Sequence, residues 1–321
     1  MINMAVTLAQ AKLNVTDDLE RNVIDEFRKS SYLLNAITFH DCVSPVGGGA
    51  TPTYGYTRLV TQPTAAFRNI NSEYAPSEVE KQRYTVDLKV FGGSFEIDRI
   101  LAGFGGIVDE VQLQLQQKIK AASTLFCDKV INGDSATTAN EFDGLDVAVT
   151  GTDTEFNAAG AAIDLSSAAQ IEANAGTFLL LLNKSLKKLD GAPSFIAGNS
   201  DLISALEYLA RYTGRYQQTQ DEWGNYVSTY NGIPLIDFGN KAGSNDPIIS
   251  TDGEGKTSLY MARLGLDGFH AISMAGQPPV RTWLPDFTTA GAVKKGEVEM
   301  VAACVLKKSK AAGVIRNLKI S

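Results

Sequence analysis

The feature that most constrains the fold is a long apolar stripe in the first half of the chain. Its members are separated by three, four, four, three, four and four residues: Val108, Val111, Leu115, Ile119, Ala122, Phe126 and Val130. Because the average spacing of about 3.67 residues nearly matches one helical turn, the stripe keeps to one face of a helix. We therefore predict a spine helix over about residues 107–132, roughly 35 to 40 Å long.

The other features of this helix predict how it packs and ends. Because the stripe is short and lacks the charged flanks of a heptad repeat, packing on a sheet is favoured over a coiled coil. Asn132 and Gly133 predict a left-handed C-terminal cap. The face opposite the stripe is predicted to be polar, with Gln112, Gln116, Lys120 and Ser123.

Upstream of the helix, the sequence changes to a period of two. From Thr53 to Ile97, apolar residues such as Tyr84 and Val86 alternate with polar ones, which is typical of strands. A polar connection from Asn69 to Lys81 separates two arms of about fifteen residues, which predicts a long β-hairpin reaching roughly 50 Å. Because a two-stranded ribbon is marginally stable by itself, we expect neighbouring molecules to cover it.

The rest of the chain mixes short helices and strands, so the fold class is predicted to be α+β. The segment from Thr16 to Phe27 predicts a short helix in an N-terminal arm, and residues 45–52 predict a hinge. Asn199 or Ser200 is predicted to cap a helix. Further predictions are a helix ending near Gly191 and strands at 194–197, 233–238, 257–264, 268–273, 298–306 and 318–320.

Composition narrows the function classes. The net charge is −7, with 36 acidic against 29 basic residues and no dense basic block, so only weak, non-specific contact with DNA is expected. No window has the 18 or more apolar residues of a membrane helix, and no secretion signal is visible, so synthesis in the cytoplasm is expected. Cys42, Cys127 and Cys304 are widely spaced, which predicts reduced and mostly buried thiols.

Signatures of catalysis, metals and cofactors are missing. The two histidines, His40 and His270, are far apart in sequence, and His40 is predicted to be a surface residue of the arm. The glycine clusters at 92–93 and 103–106 match no phosphate-binding loop and predict bends around the start of the spine helix. We predict no catalytic residue, no metal and no cofactor. The aromatic run from Tyr208 to Tyr230 predicts a long loop that contacts other subunits.

The order of these elements and several local sequences resemble the Hong Kong 97-like major capsid proteins of tailed bacteriophages. The stretch YGYTRLVTQPTAAFRNINSEYAPSEVEKQRYTVDLKVFGGSFEIDR resembles the extended loop that leads into the spine helix. NEFDGL, FIAGNSDLISAL, NGIPLIDFG and GLDGFHAIS resemble the axial domain, and AAGVIRNLKIS the last strand of the peripheral domain. The resemblance covers essentially the whole chain and carries no catalytic signature.

The resemblance implies a division of the chain. An N-terminal arm would cover 1–50 and an extended β-hairpin loop 51–97. A peripheral domain with the spine helix would cover 98–160 and 290–321, and a mixed α/β axial domain 161–289. Candidate intersubunit contacts lie on the hairpin and the aromatic run: Tyr56, Arg58, Arg68, Glu78, Lys81, Arg83, Tyr216, Trp223 and Tyr226.

The function implied is a structural head protein that self-assembles into an icosahedral shell around double-stranded DNA. Expected partners are further copies in pentamers and hexamers, a separate scaffolding protein, a portal and decoration proteins. The expected location is the virion, after synthesis in the host bacterial cytoplasm. Three alternatives are an encapsulin-type compartment, a phage tail or surface-layer protein, and a hydrolase. The near absence of histidine argues against a hydrolase.

Overall fold

The computed structural model describes residues 32–44, 51–103, 110–214, 217–220, 226–244 and 246–321. The predicted arm helix therefore lies outside the described residues, as does most of the predicted hinge. The helices are α1 Tyr32–Ala36, α2 Arg99–Ala102, α3 Glu110–Asn132, α4 Leu145–Val149, α5 Ala168–Lys188 and α6 Ser200–Tyr212.

The strands are β1 Phe39–Val43, β2 Thr53–Leu59, β3 Lys81–Asp87, β4 Lys89–Asp98, β5 Glu155–Phe156, β6 Ile163–Asp164, β7 Phe195–Gly198, β8 Gln217–Gln220, β9 Tyr226–Tyr230, β10 Ile233–Asp237, β11 Lys256–Ala262, β12 Phe269–Met274, β13 Val280–Trp283, β14 Val293–Leu306 and β15 Ala312–Lys319. They form a five-stranded sheet in the order β1-β12-β14-β13, with β4 also on β14. An eight-stranded sheet has the order β5-β15-β11-β7-β10-β9-β8, with β6 also on β15, and β2 pairs with β3 alone.

The spine helix α3 is confirmed, and its stripe faces the core. Leu115, Ile119, Ala122, Phe126 and Val130 are all buried. The fully buried Phe126 ring stacks on Phe91 at 6.1 Å and on Phe39 at 5.9 Å between ring centroids. Because Phe91 lies on β4 and Phe39 on β1, this one ring joins the helix to two strands of the five-stranded sheet.

Two predictions about α3 are wrong. Ser123 is buried rather than solvated, and its hydroxyl donates to the Lys120 carbonyl at 2.8 Å. Gly133 does not adopt a left-handed conformation. A Cβ at this position would lie 2.2 Å from the Phe142 carbonyl oxygen and 2.6 Å from that of Lys129. The glycine is needed there because two backbone segments approach each other closely.

The hairpin ladder is shorter than predicted. The seven residues of β2 pair with those of β3, from Thr53 opposite Asp87 to Leu59 opposite Lys81. Beyond them the two arms stay side by side through scattered hydrogen bonds, such as Val60 N–H to the Glu80 carbonyl at 2.8 Å. Proline has no N–H to donate, so a regular ladder cannot continue past Pro63 and Pro76.

The second predicted arm also contains β4, which belongs to the five-stranded sheet and not to the hairpin. Residues of β4 pair along their whole length with β14, from Lys89 opposite Ala302 to Asp98 opposite Val293. Gly92 and Gly93 lie within β4, so the predicted bend at this pair is wrong. A Cβ on Gly92 would lie 1.9 Å from the Val298 carbonyl oxygen, whereas one on Gly93 would meet only the Lys118 side chain, whose Cδ is nearest at 3.4 Å.

The second core lies on the eight-stranded sheet. Its centre contains Phe178 and Leu182 of α5, Leu202 and Leu206 of α6, and Leu259 of β11. The predicted helix and strands of this region are confirmed with shifted ends. The predicted cap is also confirmed, because the Asn199 side chain accepts a hydrogen bond from the Asp201 N–H at 3.0 Å.

We predict that Gly92→Ala destabilises the chain and that the neighbouring Gly93→Ala does not. The methyl group at position 92 must displace the backbone of β14, which corresponds to overpacking at about 1–3 kcal/mol. At position 93 the flexible Lys118 side chain can move, so the change should stay within about 0.5 kcal/mol. Urea denaturation of the two variants measures the difference. Equal stability would contradict the close approach of β4 and β14.

Candidate intersubunit surface

The hairpin is attached to the body of the chain at the C-terminal end of β14. Arg58 Nε donates to the Lys307 carbonyl oxygen at 2.7 Å, and the Arg58 Nη2 group donates to the Leu306 carbonyl oxygen. The Tyr56 hydroxyl also donates to Leu306, at 3.2 Å. Bonds from a guanidinium are charge-assisted and stronger than bonds between neutral groups. One arginine therefore fixes most of the attachment.

Stacked rings support this attachment. The guanidinium carbon of Arg58 lies 4.5 Å from the Tyr84 ring centroid, and the Tyr56 and Tyr84 rings stack at 5.7 Å. Tyr54 continues the stack, 6.1 Å from Tyr56. We call Tyr54, Tyr56, Arg58 and Tyr84 the hairpin base. Burial raises the pKa of the Tyr56 hydroxyl, against the opposing effect of Arg58, so the hydroxyl remains a donor at neutral pH.

On the body side, the hairpin base meets β1 and the residue after β14. The Tyr54 ring lies 6.0 Å from the His40 ring, edge to face. The Lys307 ammonium lies 5.6 Å from the Tyr54 centroid on the ring face. A cation over an aromatic face is attracted by the negative potential of the ring. Phe39, the neighbour of His40 in β1, packs on Phe126 of the spine helix, so His40 and the hairpin base lie on the opposite face of the five-stranded sheet.

Beyond the ladder, residues 60–80 form what we call the hairpin tip. The Phe67 side chain is fully exposed and Ile70 is 90% exposed. Arg68 lies over the Tyr74 ring at 5.4 Å and donates to the Asn69 carbonyl at 3.3 Å. The further exposed apolar residues of the hairpin are Leu59, Val60, Tyr74 and Val79. A large apolar surface therefore projects away from the chain that carries it.

The structure divides the predicted contact residues into three groups. Tyr56 and Arg58 face the chain's own body in the hairpin base. Arg68, Glu78, Lys81 and Arg83 are exposed along the hairpin, and Tyr226, 72% exposed, lies on β9. Tyr216 and Trp223 lie outside the described residues. Contacts of any of these residues with another subunit remain predictions.

The aromatic run from Tyr208 to Tyr230 is not the long loop that we predicted. Tyr208 and Tyr212 lie on α6, and β8 and β9 pair as antiparallel strands further on. Tyr230 is buried and its hydroxyl donates to Asn183 Oδ1 at 3.2 Å. The aromatic residues gave no sign of the strand pair β8 and β9, because the ladder of β8 is made by Gln and Thr residues.

The part of the chain that the structure describes offers few candidates for a metal site or a reactive side chain. No set of three or more His, Cys, Asp or Glu side chains there could hold a metal ion. Cys127 and Cys304 are buried, and burial raises the pKa of the Cys304 thiol well above its usual value, which disfavours the reactive thiolate. No helix within the described ranges is long and apolar enough to cross a membrane.

The two histidines are the site feature that the sequence did not reveal. His40 and His270 are far apart in the chain, yet their ring centroids lie 5.9 Å apart because β1 pairs with β12. The prediction that His40 is a surface residue is wrong, because it is half-buried beneath Tyr54. Only knowledge of this parallel strand pairing could have brought the two rings together.

We predict that Arg58→Ala loosens the hairpin base and leaves the body folded. The variant loses two charge-assisted bonds, to the backbone carbonyls of Leu306 and Lys307 where β14 ends, each worth about 1.5–3 kcal/mol. Hydrogen exchange should become faster in residues 53–59 and 81–87 and remain unchanged in α3. Arg83→Ala is the matched control, because Arg83 is an exposed arginine of the same hairpin. Equal exchange in both variants would show that Arg58 does not hold the hairpin.

Comparison with known proteins gives a uniform result. A chain of an encapsulin complex from Synechococcus elongatus PCC 7942 has a TM-score of 0.62 and 14% identity, covering 99% of this chain and 98% of that one. A chain of the capsid of a native GTA particle has a TM-score of 0.61 and 12% identity, and the match covers 99% of this chain and 100% of that one. A chain of Mycobacterium phage Bobi has a TM-score of 0.57 and 11% identity, and the match covers 98% of this chain and 99% of that one.

No protein-family model matches the chain, and no curated protein matches it in sequence. The structural likeness nevertheless extends over nearly the whole length of each chain. It agrees with the observed order of hairpin, spine helix, mixed region and returning strands. The chain has the Hong Kong 97-like capsid fold, of class α+β.

Proposed function

We propose that the chain is a major capsid protein that self-assembles into an icosahedral shell. The observation that carries this proposal is the hairpin tip. Phe67 and Ile70 are almost fully exposed, although each would gain about 1.5–3 kcal/mol from complete burial. Large exposed apolar patches usually mark interaction surfaces. We assign a second copy of the chain as the partner that covers the hairpin tip.

The capsid and encapsulin structures with this fold support the same role. Assembly would complete the burial that the isolated chain leaves unfinished, which couples stability to subunit concentration. The predicted division of the chain belongs to this proposal: an arm at 1–50, a loop at 51–97, a peripheral domain at 98–160 and 290–321, and an axial domain at 161–289. Within the loop range, β4 lies on the five-stranded sheet, so the projecting part of the loop ends before it. Pentamers and hexamers are the expected capsomers.

We further propose that the shell is a phage head enclosing double-stranded DNA. The net charge of −7 favours containment without tight binding, because an acidic subunit gains little from contacts with phosphates. A separate scaffolding protein, a portal and decoration proteins are the expected partners. The virion is the expected location, after synthesis in the host cytoplasm. The described residues offer no constellation that favours an enzyme.

An encapsulin-type compartment is the main alternative, and the Synechococcus structure with the same fold is the observation that favours it. A tail or surface-layer protein would instead form tubes or sheets. Negative-stain microscopy of particles from the producing cells separates these cases. DNA-filled heads with tails support the phage proposal, and small shells without nucleic acid support the compartment. Tubes or sheets would contradict both.

We predict that a polar hairpin tip prevents assembly without unfolding the subunit. The double variant Phe67→Ser, Ile70→Ser removes the apolar contact and should raise the concentration needed for assembly at least tenfold. Light scattering and negative-stain microscopy measure assembly, while circular dichroism and thermal melting confirm the fold.

The control is Phe67→Leu with Ile70→Val, which changes the same positions and keeps them apolar. It should form closed particles close to wild-type concentrations. Assembly of the serine variant at wild-type concentrations would show that the hairpin tip is not the surface on which shell formation depends.

A further inference from the structure

The only two histidines of the chain lie together beneath the hairpin base. His270, on β12, is fully buried, and His40 lies on the adjacent strand β1 with its ring centroid 5.9 Å away. The Tyr54 ring covers both, at 6.0 Å from His40 and 6.5 Å from His270. The imidazole pair is therefore enclosed between the five-stranded sheet and the hairpin.

The ring nitrogens of this pair are poorly satisfied. Neither nitrogen of His270 makes a hydrogen bond of good geometry to a described residue, and the same holds for Nδ1 of His40. A neutral imidazole carries one N–H and one acceptor, whereas an imidazolium carries two N–H groups and a full charge. Protonation would therefore leave a buried charge without a partner, which is strongly unfavourable.

The positive charge of Lys307 makes protonation of His270 still less favourable. The ammonium of Lys307, next to the end of β14, lies over the Tyr54 ring. Two carboxylates are present nearby, but both are engaged. Asp267 forms two bonds with Arg263, at 3.0 and 2.9 Å, and Asp41 accepts from the Gly276 N–H at 3.0 Å.

These surroundings determine which form of His270 is present. Burial, and then the charges of Lys307 and His40, lower the pKa of His270 from 6.5 to about 4, against weaker opposing effects of Gly268 and Asp267. The ring is thus neutral at pH 7 in the docked state. A ring released to water takes up a proton near its ordinary pKa of 6.5. Acid therefore favours the state in which the ring is released, and the docked state weakens as the pH falls from about 6.5 to about 4.

We propose that His270, packed beside His40 and beneath Tyr54, forms an acid-sensitive latch that holds the hairpin base on the five-stranded sheet. At neutral pH the uncharged His270 ring packs beneath Tyr54. In acid, positive charge develops on His270 beside Lys307, and the hairpin base separates from the body.

The hairpin, rather than the whole chain, is expected to open because its paired section is a two-stranded ribbon held to the body by few contacts. Segments of this kind open locally at free energies below that of global unfolding. The other side of the sheet packs on the apolar stripe of α3, which carries none of these charges. This latch acts within one subunit, so its test does not depend on the proposed shell.

The test is hydrogen exchange on the unassembled full chain at neutral pH and at about pH 4.5, with labelling times corrected for the intrinsic effect of pH. Residues 53–59 and 81–87 should lose protection by up to about two orders of magnitude, the change that corresponds to the shift in the His270 pKa. The α3 peptides should keep theirs. His270→Phe and His270→Gln, two variants that cannot titrate, should retain hairpin protection in acid.

A second measurement separates the latch from a merely structural role. Because the chain has only two histidines, NMR of ¹⁵N-labelled histidine follows each ring directly. Lys307→Met should raise the pKa of His270 and reduce the acid sensitivity of the hairpin, while the Lys307 backbone carbonyl remains available to Arg58. The proposal is overturned if the folded His270 variants release the hairpin at the wild-type pH. Loss of protection in α3 and the hairpin in a single step would also overturn it.

Discussion

The packing of the α3 stripe on the five-stranded sheet is the interaction on which the rest of the structure depends. Phe126, fully buried, joins the helix to β1 and β4 through its contacts with Phe39 and Phe91. The central strand β14 pairs with β4, β12 and β13, so a helix fixed on this sheet also fixes all of these strands. The hairpin is attached where β14 ends. The position of the hairpin base therefore depends, through the sheet, on the position of α3.

A polar network joins this core to the eight-stranded sheet. Arg316 of β15 pairs with Asp146 at 2.8 Å and with Glu155, and the Tyr260 hydroxyl donates to Asp146 at 2.8 Å. Burial acts to raise the pKa of Glu155, but the Gly151 N–H and Arg316 outweigh it and hold that pKa below its usual value. Because each charge in the network has a partner, the segment after α3 is held on the sheet without an isolated buried charge.

Sequence alone predicted the features that depend on local spacing. The stripe of α3 and the cap at Asn199 follow from residues within a few turns of one another, and both are confirmed. Gly92, Gly133 and the histidine pair were misinterpreted or missed. In each case the deciding contact is made by a residue distant in sequence or by a backbone carbonyl, which leaves no periodic signal. For the same reason the sequence did not indicate that Arg58 donates to carbonyls of its own chain, and its contact with another subunit remains a prediction.

The attachment of the hairpin by Arg58 has a mechanical consequence. Ile70 lies 12 residues beyond Arg58, so the hairpin can extend up to roughly 40 Å from its base and act as a lever. A tilt of about 10° at the base would move the tip by up to about 7 Å, more than the spacing between adjacent strands. Small angular changes at two backbone carbonyls would therefore become displacements large enough to select between different neighbouring contacts. The hairpin base would then determine how accurately the tip meets a neighbouring subunit, although the base lies far from the contact itself.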